Sequence, residues 1–183
     1  MKKVLILLLS LSVYAMNVNA QDITFGIKAG ANFSNLKTTF FGQGLSPDGA
    51  TSLYIGGLVD IGISENVHIQ PELLYSIEGA KNSEISFVNV PLMFKYYLIE
   101  GFNIQAGPQL GILVDAEGGT VATDRLKGIN FGLNFGAAFE IVGGFFADAR
   151  YNLGIANIAD YDPEFTDSKL RTKGFQLGVG YRF

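Results

Sequence analysis

The sequence predicts an all-β fold in which eight antiparallel strands close into an up-and-down barrel. Three observations predict it. Apolar and polar side chains alternate with period two in eight segments, as in strands whose successive side chains point to opposite faces. The connections between these segments alternate between short turns and long loops. The composition, with 23 Gly and 13% aromatic residues, suits closely packed strands with one apolar face.

In each segment, every second residue is Phe, Leu, Ile, Val or another apolar residue, and we call these positions the apolar parity. The residues between them, the polar parity, are Gly, Asn, Gln and scattered charged residues. In the first segment, for example, Phe25, Ile27 and Ala29 alternate with Gly26 and Lys28. Strands of about ten residues suffice to cross a bilayer when they are tilted. The eight predicted strands cover 23–34, 53–63, 67–77, 88–98, 102–114, 129–141, 145–155 and 175–183.

The predicted connections differ in length at the two ends of the strands. Short turns at one end and long loops at the other are typical of an outer-membrane barrel, with both termini on the periplasmic side. The short turns are 64–66, 99–101 and 142–144, and the long loops are 35–51, 78–85, 115–127 and 156–169.

Composition and charge exclude several classes of protein. Hydrophobic residues make up 48% of the 183 residues and charged residues only 16%, so the chain is too apolar to be disordered. The absence of Cys excludes a disulfide framework, a cysteine zinc site and a lipoprotein anchor. The net charge is −4 and no basic stripe is present, so no nucleic-acid partner is expected. We expect no cofactor.

The first twenty residues have the pattern of a secretory signal peptide. Two lysines supply a positive start, and an apolar run over 4–13 follows that is too short to span a bilayer. Val18-Asn19-Ala20 has the small-residue pattern that precedes signal peptidase cleavage. We therefore expect residues 1–20 to be a signal peptide and residues 21–183 to form one outer-membrane β-barrel domain.

Alternation alone does not decide which face of the barrel points outward, because a soluble lipocalin-like barrel has the same pattern with its apolar face inside. An eight-stranded barrel has an interior only just wide enough for side chains. The apolar face is too rich in Phe, Leu and Ile to fit there, whereas the small residues of the polar face suit a crowded lumen. We therefore expect the apolar face to contact lipid, which makes the fold an eight-stranded antiparallel up-and-down transmembrane β-barrel.

Aromatic residues on the apolar parity support this orientation. Rings near the strand ends predict two interfacial girdles, where amphipathic side chains are most favourable. The turn-end group is Tyr96, Phe102, Phe139, Phe145, Tyr181 and Phe183, and the loop-end group is Phe33, Tyr75, Phe131 and Phe175.

Four short motifs occur in order along the chain: FVNVPLMFKY at 87–96, GPQLG at 107–111, NFGLNFG at 130–136 and DARYNLG at 148–154. Together they resemble the PorT-type outer-membrane β-barrel family of Gram-negative bacteria, a porin-like family, and the first motif is similar to that family's IPLLLKY strand. The resemblance covers nearly the whole predicted mature chain and implies the barrel. It implies no activity, because the family is broad and its founding member, which is associated with type IX secretion, is longer.

Two further features of these strands carry expectations. The ending GVGYRF at 178–183 is similar to the terminal strand that the barrel-assembly machinery recognises, which implies that Tyr181 and Phe183 form an assembly signal. Pro91 lies within a predicted strand on the polar parity. Because proline removes a ladder donor, we expect a bulge or a local bend there.

Charged residues on the polar parity predict a network inside the barrel. Cations and acids occur there in equal number, and buried charges must be paired because they lose their hydration. Asp148 and Arg150 are two residues apart and so share the lumenal face. We expect the network to fill the lumen and prevent steady conduction. Its members are Lys28, Asp60, Glu72, Lys95, Glu140, Asp148, Arg150 and Arg182.

His68 is the only histidine, which excludes a His-rich metal site, and no metal site is predicted. Barrel enzymes that modify lipid A use His with Ser and an acid near the outer leaflet. His68 lies at the opposite end of its strand, whereas Ser76 and Ser86 lie near the outer end, too far away to form a triad. We therefore expect a hydrogen-bonded lumenal histidine and no catalytic residues.

Two predicted loops carry residues that could contact a partner. The loop 156–169 holds four acids, but their spacing does not match a calcium loop, so a solvated loop is expected. The loop 35–51 carries the adjacent Phe40 and Phe41, which could contact a partner or dip into the outer leaflet.

The sequence therefore predicts a non-enzymatic integral protein of the cell outer membrane with a structural or binding role through its extracellular loops. The expected partners are outer-membrane lipid and, during biogenesis, the barrel-assembly machinery. Two alternatives stay open: a lipid A-modifying outer-membrane enzyme and a soluble lipocalin-like ligand-binding barrel.

Overall fold

A computed structural model describes residues 23–40, 43–45, 50–80, 83–117, 128–155 and 169–183. The predicted signal peptide and Phe41 lie outside these described residues. No helix in the described part of the chain is long and apolar enough to span a membrane. The strands are β1 (Ile23–Phe40), β2 (Gln43–Leu45), β3 (Ala50–Gly62), β4 (Val67–Ala80), β5 (Ser83–Ile99), β6 (Phe102–Glu117), β7 (Ile129–Val142), β8 (Phe145–Gly154) and β9 (Lys169–Arg182).

The eight long strands form a closed antiparallel barrel, which confirms the predicted fold. Neighbours along the chain pair in order from β3 to β9, β1 pairs with β3, and β1 also pairs with β9 to close the sheet. Closure leaves no open sheet edge around the barrel. The short β2 was not predicted. It pairs with the last residues of β1, from Thr38–Leu45 to Phe40–Gln43.

The apolar face of the barrel points outward, as predicted. Leu53 is 68% exposed and Val179 is 62% exposed, whereas Arg150 and Lys28 are 1% and 2% exposed. A soluble barrel would show the reverse arrangement, because charges gain hydration and apolar groups lose it at a water-facing surface. The outer surface is therefore suited to hydrocarbon.

The three turns at one end of the barrel are short, as predicted. The β3–β4 turn covers 63–66, and the other two turns are Glu100-Gly101 and Gly143-Gly144. Gly101, Gly143 and Gly144 have φ values of 77°, 59° and 88°. Such positive φ angles are costly for other residues, so glycine permits these two-residue hairpins.

The expectation of a long loop over 78–85 is wrong. Strand β4 continues to Ala80, strand β5 begins at Ser83, and Ala80 pairs with Ser83. The apolar Ile85 and Phe87 are almost completely buried in the lumen. Their burial and the continued ladder explain why this segment extends as a hairpin although its composition is typical of a loop.

Pro91 does not produce a bulge. The β4–β5 pairing is interrupted between Pro71–Leu92 and Leu74–Asn89, but it resumes in the same register. The missing proline donor thus weakens the ladder without shifting it. In β5–β6, register shifts lie instead at Ser86/Phe87 and at Tyr97/Ile99.

Large rings fill the lumen where glycines leave space. Tyr54 and Phe146 are each 2% exposed. A Cβ on Gly178 would lie 1.9 Å from Tyr54 Oη, and a Cβ on Gly180 would lie 2.3 Å from Phe146 Cζ. The glycines of β9 therefore make room for two rings from nearby strands: Phe146 lies on the neighbouring β8 and pairs with Gly180, and Tyr54 lies on β3, two strands away.

Candidate functional site in the barrel lumen

The eight predicted lumenal charges lie in two groups of four, each with two acids and two bases. The central group consists of Lys28, Glu72, Asp148 and Arg150. The Arg150 guanidinium donates to both carboxylate oxygens of Glu72, at 2.7 and 2.6 Å. Lys28 donates to Asp148 at 2.6 Å, and Arg150 Nε lies 2.8 Å from Asp148 Oδ2. All four side chains are at most 1% exposed.

The turn-end group consists of Asp60, Lys95, Glu140 and Arg182. Lys95 donates to Asp60 Oδ2 at 2.5 Å, and Arg182 Nε lies 3.6 Å from the same oxygen. Arg182 also forms a short ion pair with Glu140. This group lies closer to the opening, since the Glu140 side chain is 41% exposed.

Two residues outside the predicted network complete the turn-end group. His68 Nδ1 lies 2.5 Å from Asp60 Oδ1. The Tyr97 hydroxyl donates to Glu140 at 2.9 Å and accepts from Lys95 at 3.1 Å. The His68 and Tyr97 rings pack with their centroids 4.8 Å apart. The lumenal parity of both residues was visible in the sequence, but their partners lie on other strands.

Gln70 joins the two groups. Its carbonyl oxygen accepts from Lys95 at 3.1 Å, and its amide donates to Glu72 at 2.5 Å. The polar contacts therefore run without interruption from the turn-end group to the central group. Charges satisfied in this way are retained in a low-dielectric interior, whereas a single unpaired charge there would be strongly destabilising.

A layer of neutral groups and one acid lies on the loop side of the central group. Asn32 donates to Ser76 at 2.7 Å and accepts from Gln176 at 2.6 Å. Glu78 is 8% exposed and accepts from Asn89 at 2.9 Å. Sequence alone did not identify Glu78 as lumenal, because it fell in the predicted loop 78–85. Glu78 lies an even number of residues from Glu72 and Ser76, and this spacing could have indicated that its side chain also points into the lumen.

In the part of the chain that the structure describes, the lumen is open at the turn end and has little space on the loop side. A cavity of about 410 Å³ at the turn end is lined by His68, Tyr97, Glu140, Arg182 and other residues of this end; we call it the turn-end cavity. On the loop side, the space beside Asn32 and Glu78 is about 10 Å³, which is room for about one water molecule. Among the described residues, the side chains of the central group lie between these two spaces.

The other predicted site residues lie away from the lumenal groups. The Tyr181 ring packs against Phe145 and Phe183, with centroids 4.7 and 5.5 Å apart, and Phe183 is 72% exposed. The predicted loop 35–51 is wrong at its start, because the ladder between β1 and β9 continues to Thr39 and Phe40 is the last residue of β1. The assembly role of Tyr181 and Phe183 and the contact role of Phe40 and Phe41 stay predictions.

His68 and Asp60 have the arrangement of the base and the acid of a hydrolytic triad. Asp60 orients the imidazole, but no hydrogen bond joins His68 to a hydroxyl nucleophile among the described residues. Ser76 lies eight residues further along β4, about 26 Å away at the rise of a strand, and bonds to Asn32. Among the described residues, no group of three or more His, Asp or Glu could hold a metal ion.

A closed antiparallel barrel with an apolar outer face, a filled polar lumen and short turns at one end is the architecture of an integral outer-membrane β-barrel protein. Residues 4–183 match the model of the outer membrane protein beta-barrel domain. The chain therefore belongs to that family.

Solved structures agree with this fold. The chain is similar to Neisserial surface protein A, with a TM-score of 0.56, 12% identity, and coverage of 89% of this chain and 100% of that one. It is also similar to Ail, the attachment invasion locus protein of Yersinia pestis, with a TM-score of 0.55 and the same identity and coverage. No match was found among curated protein sequences. At this identity the likeness concerns the fold alone.

Proposed function

We propose that this protein is a non-enzymatic outer-membrane barrel whose lumen is closed by side chains and which acts as a structural or binding element through its extracellular loops. The observation that carries the proposal is the two-group ion-pair network across the lumen. Opening a path would require separating the charges of the central group, which have almost no access to water, and breaking one such buried pair costs about 3–5 kcal/mol.

Conductance in planar bilayers tests the closed lumen. The purified protein is expected to give no steady open-channel current. A matched variant, Glu72→Ala with Arg150→Ala, removes one acid and one base together and leaves the net charge unchanged. We expect this variant to show measurable current if it folds. Reproducible large open steps from the unchanged protein would overturn the proposal.

A lipid A-modifying enzyme is the rival function, and the Asp60–His68 contact is the observation that favours it. Against it stands the lack of a bonded hydroxyl nucleophile within the described residues. Mass spectrometry of lipid A from cells with and without the gene separates the two functions. Identical lipid A supports the proposed function, and a mass difference that His68→Ala abolishes would establish the enzyme.

Two finer assignments belong to the same proposal. The motifs at 87–96 and 148–154 support a PorT-type barrel, and we attach no secretion role to it. The exposed Phe183 supports recognition of the last strand by the barrel-assembly machinery during biogenesis. Deleting Phe183 should lower the outer-membrane level of the protein. An unchanged level would remove this residue from the assembly signal.

The contact at Phe40, the last residue of β1, and the adjacent Phe41 is the binding element we propose to test first. Replacing both residues with Ser should weaken adhesion to, or capture of, a partner without changing the amount of folded barrel. Unchanged binding in every such assay would leave the loop 35–51 without a binding role at these positions.

A further inference from the structure

The turn-end cavity lies next to the turn-end group of charges, and Asp60, Glu140 and Arg182 of that group line it. Residues of six strands line it: Thr24 on β1, Asp60 on β3, His68 on β4, Tyr97 and Ile99 on β5, Glu140 on β7 and Arg182 on β9. Glu65 and Glu100, from two different turns, also line it. Its volume of about 410 Å³ falls within the range of sites that hold small ligands or inserted side chains.

Negative charge is more accessible than positive charge at this cavity. The Lys95 and Arg182 side chains are 1% and 11% exposed and are held by Asp60 and Glu140. Glu140 is 41% exposed, and Glu65 and Glu100 are exposed. A charged group that approaches the opening therefore meets carboxylates first, which favours a cation.

Two acceptor atoms on the floor are left over by the internal bonds. His68 uses Nδ1 for Asp60, so that its Nε2 is the acceptor nitrogen when Nδ1 carries the proton. Glu140 Oε1 accepts hydrogen bonds from both Tyr97 and Arg182, and no hydrogen bond to Glu140 Oε2 is seen within the described residues. An ammonium group has three donors and accepts such a mixed set of oxygen and nitrogen.

A metal ion fits this cavity less well than an organic cation. In the described part of the chain, no three His, Asp or Glu side chains come close enough together to form a metal site. A lysine side chain combines a compact charge with a long apolar stem, which can pass between the turns while its ammonium reaches the floor.

We propose that the turn-end cavity receives a lysine side chain from a basic segment of a periplasmic polypeptide. The turn end faces the periplasm in outer-membrane barrels. Glu140 and His68 bind the ammonium group, and Glu65 and Glu100 attract the neighbouring basic residues of the same segment. The binding site is thus separate from the extracellular loops to which the proposed function assigns a role.

The only histidine of the chain provides a direct probe of this site. The full mature protein, labelled at histidine with ¹³C and ¹⁵N, is titrated with trilysine, and the single imidazole signal is followed by NMR. We expect a saturable shift that weakens with added salt. Glu65→Gln with Glu100→Gln should raise the Kd about fivefold, as expected for the loss of two solvent-exposed attractive charges. Glu140→Gln should raise it further.

The matched control removes two acids at the other end of the barrel, Asp115→Asn with Glu117→Gln, and should leave the Kd unchanged. The proposal is overturned if trilysine does not shift the imidazole signal, if triglutamate shifts it equally, or if the control weakens binding as much as the rim variant. The first of these results is obtained with the unchanged protein, so it tests the proposal even if a variant fails to fold. A conducting lumen would contradict the proposed function but would leave this titration interpretable.

Discussion

Arg150 and Glu72 form a bidentate ion pair across the full width of the barrel, with N–O distances of 2.7 and 2.6 Å. Their strands, β8 and β4, lie four strands apart in either direction around the closed sheet. The pair therefore ties opposite walls together through the centre of the lumen. It also places two opposite charges where neither reaches water, so each depends on the other for its stabilisation.

Breaking this pair from one side should be strongly destabilising. Arg150→Met leaves the Glu72 carboxylate buried near Asp148 with only Lys28 to compensate both. We expect the free energy of unfolding to fall by about 3–5 kcal/mol, because a buried charge is left uncompensated. Urea unfolding of the protein in lipid vesicles measures the change.

The control for that measurement is Glu65→Gln, which removes a charge from an exposed turn and should change the free energy of unfolding by less than about 0.5 kcal/mol. Glu72→Arg combined with Arg150→Glu reverses the pair and should recover part of the loss. Equal stability of Arg150→Met and the unchanged protein would show that the pair does not stabilise the barrel.

Gly178 should not tolerate a methyl group. Its Cβ would lie 1.9 Å from Tyr54 Oη and 2.6 Å from Asp148 Oδ1. Overpacking of this kind typically costs about 1–3 kcal/mol, so Gly178→Ala should lower the midpoint of urea unfolding. Adding Tyr54→Phe removes the clashing oxygen and should return part of the stability.

A matched glycine-to-alanine change is available at Gly128, where a Cβ would meet nothing within 4 Å. Gly128→Ala should therefore leave unfolding almost unchanged. If Gly178→Ala and Gly128→Ala behaved alike, the close approach of Tyr54 to β9 would be refuted.

The two glycines of the β7–β8 turn should respond differently to substitution. Gly143 has a φ of 59° with open space around its missing Cβ, whereas Gly144 has a φ of 88° and its Cβ would lie 2.4 Å from the Arg182 carbonyl oxygen. Asn tolerates the left-handed region, so Gly143→Asn should be close to neutral. Gly144→Asn should destabilise the barrel by about 1–3 kcal/mol. Thermal unfolding in detergent compares the two, and the opposite ranking would contradict the turn geometry.

A charge placed on the outer face should reveal the lipid contact. Ile55 is 62% exposed near the middle of β3. In a bilayer, Ile55→Lys should cost about 2–4 kcal/mol, whereas Ile63→Lys, beside the turn end, should cost about 0–1 kcal/mol. Unfolding from lipid vesicles measures both. A neutral Ile55→Lys would mean that this face meets water.

The eight barrel strands, their order and the outward direction of the apolar face could be read from the sequence. The alternation of apolar and polar residues in segments such as 129–141 is a local property of the sequence. The lumen of an eight-stranded barrel is too narrow for the bulky apolar side chains, so the number of strands and the size of the side chains decide that the apolar face points outward. The lumenal parity of Arg150 and Glu72 follows from the same rule.

Only the tertiary structure decided which charges meet. Parity places Glu72 inside the barrel, but the partner of Glu72 depends on closure and strand tilt, which bring β8 opposite β4. The extension of β4 to Ala80 and the start of β5 at Ser83 also depended on closure, because Ile85 becomes buried only once the opposite wall exists. The turn-end cavity arises for the same reason, since the residues that line it come from six strands, which only the closed sheet brings together.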